Sequence, residues 1–277
     1  MKFTKLLTLL FLTLFITSCN TDDGILGERP DTDGGDSSSF SDNFGNAINR
    51  DFLGRVIDIN NNPISDVTIT IGNSTASTDD NGVFIINNAS VFQNFAYIKA
   101  DKAGYIHGSR AVVPSTGTNK VTIMLLEETV IQTVNSGETA TVTLGNGASV
   151  SLDGNYKNPD GTDYTGSVDV IMHMLDPVDE NMEQQMPGML YAENLDGDER
   201  MLQTLGMLAV ELRGDSGEDL NIADGSTSEI IIPLDASLVA TAPATIPLWY
   251  FDEENGYWKE EGQATLIGNQ YVGTVTH

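Results

Sequence analysis

This 277-residue chain predicts an all-β fold, an N-terminal seven-stranded β-sandwich followed by a second β-rich domain. Three observations carry that reading. From Phe52 onward, apolar and polar residues alternate with period two, as in Val67-Thr68-Ile69-Thr70-Ile71, which is the pattern of a half-buried strand. Short runs of branched residues recur at regular spacing between Asn, Asp and Gly turns. The same region shows no sustained helical periodicity.

The N-terminal segment is of another kind. Lys2 and Lys5 precede an apolar run, Leu6 to Ile16, and small residues then lead to Cys19, the only cysteine. This is the layout of a secretory signal, because the run reaches only about half of the roughly 20 residues a membrane-spanning helix needs. The segment is therefore expected to be removed as a signal peptide. Residues 20–49, beginning Asn20-Thr21-Asp22-Asp23-Gly24, are rich in Asp, Asn, Ser and Gly. They carry too little apolar surface to offset the entropy of ordering, so residues 19–49 are expected to be a flexible acidic tether with a reach of about 30 Å.

Ile16-Thr17-Ser18-Cys19 resembles the lipobox of bacterial lipoproteins. That resemblance implies cleavage before Cys19 and acylation of its thiol and new amino terminus, with the membrane as partner through the lipid. Asp22 and Asp23 resemble the acidic surface-export signal of lipoproteins in the Bacteroidetes. They imply an outer-membrane protein facing the cell exterior.

The first domain is expected over residues 50–127. Asn60-Asn61-Asn62-Pro63 forms a turn before the strand at 67–71. Asp79-Asp80-Asn81-Gly82 separates strands at 75–78 and 83–86, and Asn-Gly predicts a hairpin there. Further strands are expected at 95–100, 109–113 and 120–126. Gly54-Arg55-Val56 with Asp58, Asn62-Pro63-Ile64, Thr78 to Phe84 and Lys102-Ala103-Gly104-Tyr105 resemble the carboxypeptidase regulatory-like domain. The resemblance implies a transthyretin-like sandwich without catalysis of its own.

The second domain, 128–277, is expected to hold strands at 129–133, 140–144, 148–152, 164–171, 205–212, 229–232, 246–251, 258–261, 264–267 and 270–276. Residues 176–203 lose the alternation and read as a long excursion with one helical turn. Gly206-Met207-Leu208-Ala209-Val210-Glu211-Leu212, Pro247 to Asp252 and Gly256-Tyr257-Trp258 resemble the extracellular β-rich region of the cartilage intermediate layer protein family. Members of that family continue beyond the position of His277, so a C-terminal truncation is expected.

The signal holds two of the 13 basic residues and none of the 40 acidic ones, so the remainder carries 11 against 40, a formal charge of −29. Such a surface repels phosphate backbones, which excludes nucleic acid as a partner. No His-Glu-x-x-His helix or Gly-x-Ser-x-Gly elbow is present, and His107, His173 and His277 fall on separate predicted elements. No enzyme is therefore expected. Asp153, Asn155, Asp160 and Asp163 crowd one loop, and Asp196, Asp198 and Glu199 another. Plain turns are the first reading of these loops and calcium binding the alternative, with no other cofactor expected. Seven of the nine methionines lie between Met172 and Met207, where packing outweighs soft-metal binding. Trp249, Tyr250, Phe251, Tyr257 and Trp258 form an aromatic hairpin, in which Trp249 and Phe251 share one face. Packing is again the first reading, and sugar stacking on exposed Tyr250 and Tyr257 the alternative.

The function expected from these features is a non-catalytic, lipid-anchored cell-surface binding or scaffold protein, with a surface protein or glycan as partner. Its alternatives are a glycan-binding accessory protein of a nutrient-uptake system and a hydrolase with an unrecognised carboxylate site.

Overall fold

The structure is a computed structural model in which residues 39–277 are described; Cys19, Asp22 and Asp23 lie outside them. The first module uses seven strands, β1 (Ala47–Ile57), β2 (Thr68–Ile71), β3 (Ser74–Ser77), β4 (Val83–Phe92), β5 (Ala96–Asp101), β6 (Gly108–Val112) and β7 (Thr118–Met124). They form two sheets, ordered β4-β1-β7 and β3-β2-β5-β6. The inward residues of both sheets, among them Phe52, Val56, Ile69, Ile71, Phe84, Ile98 and Ile123, make one core. A Cβ at Gly54 would lie 2.0 Å from the Phe84 ring, so glycine is what lets that ring cross β1.

Two expectations are corrected here. The Asp79–Gly82 turn is not a hairpin: β3 pairs only with β2, and β4 pairs with β1 in the opposite sheet. Asp79 Oδ1 accepts from the Asn81 and Val83 amides at 2.9 Å, a local turn chemistry that serves a sheet-to-sheet arch equally well. The segment expected as tether is ordered at its C-terminal end. Phe40–Phe44 is a 3-10 helix and β1 already begins at Ala47. Phe40 and Phe44 are buried with Phe95, Ala111 and Tyr257, and Phe44 stacks on Phe95 at 4.3 Å between ring centres. Two aromatics in an otherwise polar stretch suffice to order it, because each buries a large apolar area.

The second module contains β8 (Val130–Asn135), β9 (Ala140–Thr143), β10 (Ser149–Leu152), β11 (Tyr156–Lys157), β12 (Asp163–Tyr164) and β13 (Ser167–Leu175). After the helical turn α1 (Met182–Gln185) come β14 (Tyr191–Glu193), β15 (Glu199–Met201), β16 (Met207–Arg213), β17 (Asp219–Ile222), β18 (Ser228–Pro233), β19 (Thr245–Asp252), β20 (Tyr257–Ile267) and β21 (Gln270–Val275). One sheet runs β12-β11-β17-β16-β13-β8, the other β15-β14-β20-β21-β18-β10-β9, with β19 on the free side of β20. The runs 258–261 and 264–267 are a single strand rather than two, and the excursion hides two short strands, β14 and β15. The sequence reading also lacked β17, whose four residues include only two apolar ones.

The modules share their interiors. Ile106 and Leu126 of the first pack with Ile171, Leu175, Met182 and Met186 of the second. Tyr97 Oη donates to the Glu253 carbonyl at 3.0 Å, and the half-turn beside it needs Gly256, where a Cβ would stand 2.5 Å from the Tyr97 ring. Arg110, 8% exposed, donates to the Glu183 carbonyl and to its carboxylate at 3.2 Å. Phe44→Ala is expected to lower unfolding free energy by about 3 kcal/mol, the cost of a large-to-small change in a core, as measured by urea denaturation.

Candidate functional site

The alternation of β16 decides where a site can form. Leu208, Val210 and Leu212 face the sandwich core, whereas Met207 and Ala209 face Ile106 and Leu126 of the first module. Both faces of the strand therefore pack against apolar neighbours, while Met207–Glu211 stay partly exposed. On one side β16 pairs with β13 along its whole length, but on the other β17 reaches only Leu212 and Arg213. Met207–Glu211 thus presents a free edge among the described residues. β19 pairs only with β20, so its outer edge is free as well.

Between these edges lies a cavity of about 730 Å³. Its walls are the run Leu202–Arg213, the run Ile246–Phe251, parts of β10, β18, β20 and β21, and Ile106, Met124 and Leu126 from the first module. Consecutive residues of both β16 and β19 line it, so the space reaches both faces of each strand around the free edge. The volume lies within the range of about 300–1,000 Å³ typical of ligand sites, and most of the lining is apolar. Two wall residues, Trp258 and Ser228, hold buried polar atoms, Nε1 and Oγ, without a protein partner.

The polar lining is acidic. Glu211, Asp219, Glu253 and Glu261 contribute carboxylates against one guanidinium, that of Arg213, and the rings of His107 and His277. Arg213 is already shared by Glu128 at 2.8 Å, Glu211 at 2.8 Å and Asp219 at 2.9 Å. Burial pushes the Glu211 carboxyl up, and the nearby guanidinium opposes that shift. His107 Nδ1 lies 3.4 Å from Glu253 Oε2 and its Nε2 4.0 Å from Asp101 Oδ1. The hydrogen bond to Glu253, opposed by partial burial, raises the imidazole to about 9.

Of the two tyrosines proposed as a sugar platform, only Tyr250 reaches this cavity, where it joins Trp249, Phe251, Trp258, His107 and His277. It is half-buried and its ring stacks on His277 at 3.9 Å. Tyr257 is a correction: it is 7% exposed, with its ring 4.6 Å from that of Phe40, because the first module and the 3-10 helix cover that face of the hairpin. A β-bulge between Leu248 and Trp249 resets the parity of β19, and Trp249, Tyr250 and Phe251 all border the cavity.

The acidic loops are turns. Asp153 Oδ1 accepts from the Asn155 amide at 2.9 Å, and Asp160 Oδ1 from the Thr162 amide at 3.0 Å, while Asp163 pairs across β11 with Lys157. Asn194 accepts from the Asp196 and Asp198 amides, Asp198 pairs with Arg200 at 3.0 Å, and Glu199 accepts from Tyr191 Oη. Among the described residues, no group of three or more Asp, Glu, His or Cys is placed to share a metal ion. His173 Nε2 donates to the Glu127 carbonyl at 2.8 Å, and Met172, Met182 and Met186 are buried in cores.

No family model matches the chain. The chain is similar to cartilage intermediate layer protein 2 of Mus musculus, 32% identical over 110 residues, which is 39% of this chain and 9% of that protein. The Homo sapiens protein is 30% identical over 115 residues, with the same coverage. The chain thus spans about a tenth of the curated relatives' length. Similar solved structures include the shaft pilin spaA of Lactobacillus rhamnosus GG, at 12% identity, TM-score 0.25, and coverage of 66% of this chain and 86% of that one. A DUF3823 family protein of Parabacteroides merdae follows at 10% identity, TM-score 0.23, and coverage of 67% and 92%. TM-scores of this size leave function to be argued from the chain itself.

Because its folded pKa lies above the unfolded value of 6.5, His107 adds stability that is complete below about pH 6.5 and lost as pH rises through about 9. An NMR titration should place its midpoint near 9. Glu253→Gln should return it toward the ordinary histidine range.

Proposed function

We propose that this is a non-catalytic binding protein displayed at a bacterial cell surface on a lipid carried by Cys19. The observation that carries the binding role is the apolar cavity at the meeting of β16, β19 and the first module. Its lining is built from segments as distant as Ile106 and His277, so both modules contribute to it. The anchor is supported by the lipobox-like Ile16-Thr17-Ser18-Cys19, and outward display by Asp22 and Asp23. Among the described residues no helix is long and apolar enough to cross a membrane.

The reading requires no metal and no turnover. The three histidines contact different partners, namely Glu253, the Glu127 carbonyl and Glu261. The similarity to cartilage intermediate layer protein 2 is compatible with an extracellular β-rich module.

Two measurements test the proposal. The environment-sensitive dye N-phenyl-1-naphthylamine should bind the purified protein and brighten, whereas Val210→Trp, which fills the cavity, should lower that signal at least tenfold. In cells labelled with a fatty-acid analogue, the parent should be labelled and membrane-bound. Cys19→Ala should be unlabelled and released; retention of the label would sink the anchor. Calcium should leave the melting temperature unchanged, since no described loop gathers its ligands.

A further inference from the structure

We infer that the cavity receives an extended segment of another polypeptide, added as a strand to the free edge of β16 and carrying basic residues beside its apolar ones. This rests on the binding role proposed above and names the partner. On its unpaired side, Met207–Glu211 offers main-chain donors and acceptors from every second residue, against largely apolar walls. Backbone groups in such surroundings require partners, and an incoming strand supplies both donors and acceptors at matching spacing. A simple amphiphile fills volume but cannot complete a ladder.

The geometry also selects the template and the composition of the strand. β19 has a free edge too, but Pro247 removes an N–H from it, as in edge strands that resist pairing. Side chains of a strand beside β16 would alternate between Leu208 and Val210 on one face and Met207 and Ala209 on the other. Both faces are apolar, so the segment must be apolar at most positions over about five residues. Near Glu211 and Glu253 the charge reverses the requirement: Arg213 is shared among three carboxylates, and the lining keeps an excess of acids. Lysine or arginine at that end is the complement. A second copy of this chain is disfavoured, since each carries a formal charge of −27.

The test uses the purified chain and a fluorescein-labelled peptide of five valine and isoleucine residues flanked by lysines. Its controls are the same peptide N-methylated at alternate amides, a version with glutamates in place of the lysines, and the dodecylammonium ion. The parent peptide should bind by anisotropy, slow amide exchange at Met207–Glu211 at least tenfold, and leave exchange along Thr245–Asp252 unchanged. N-methylation and the glutamate exchange should each weaken binding at least tenfold. Glu253→Gln, an exposed change that spares the core, should weaken the parent peptide about threefold. Equal binding of the N-methylated peptide, or binding of dodecylammonium with none of the parent peptide, would overturn strand addition. Dye binding without peptide binding sinks the partner class alone, whereas failure of both removes the binding role as well.

Discussion

Strand Met207–Arg213 meets apolar neighbours on both faces, and the junction of the two modules is organised around that constraint. A sheet with one wet face alternates apolar with polar residues, yet Met207-Leu208-Ala209-Val210 is apolar throughout. Leu208 and Val210 pack on the sandwich core, and Met207 and Ala209 pack on a cluster that includes Ile106 and Leu126 of the first module. Docking of the two modules is thus a requirement of this strand as much as of any polar contact. Where β17 turns away after Leu220, the same strand loses its neighbour, and the cavity opens at that place.

The few basic groups sit where this arrangement needs them. Arg110 is buried against the helical turn α1 that carries Glu183, and Arg213 draws Glu128 of the inter-module linker to Glu211 and Asp219. In a chain with 40 acidic and 13 basic residues, such use of arginine inside the junction leaves the surface acidic. It also leaves His107 among carboxylates, which explains the direction of its shift. Solubility of the exterior and cohesion of the junction therefore draw on one small set of cations.

Most strands were legible because period-two alternation is a local property, and the seven-stranded first module follows it closely. The misreadings have local causes as well. Phe40 and Phe44 are diluted by serine, aspartate and asparagine, so their burial has no periodic signal. Asp79–Gly82 has the same turn chemistry whether the next strand pairs with its predecessor or crosses to another sheet. The bulge at Leu248/Trp249 shifts the parity of the aromatic hairpin, and Tyr257 is hidden by a helix some 210 residues earlier in the chain, at Phe40–Phe44.

The candidate site was almost illegible, apart from Tyr250. Its lining comes from residues 106 to 277, and its defining feature, a strand edge without a neighbour, is a property of pairing rather than of composition. By itself the sequence determined the β class, the number of strands in the first module and the strongly acidic balance of the chain, since alternation and net charge are summed along the chain. Only the tertiary structure decided which aromatics are covered, which acids merely shape turns, and where two sheets part to leave room. Those outcomes depend on which distant surfaces meet, and no local pattern encodes a meeting.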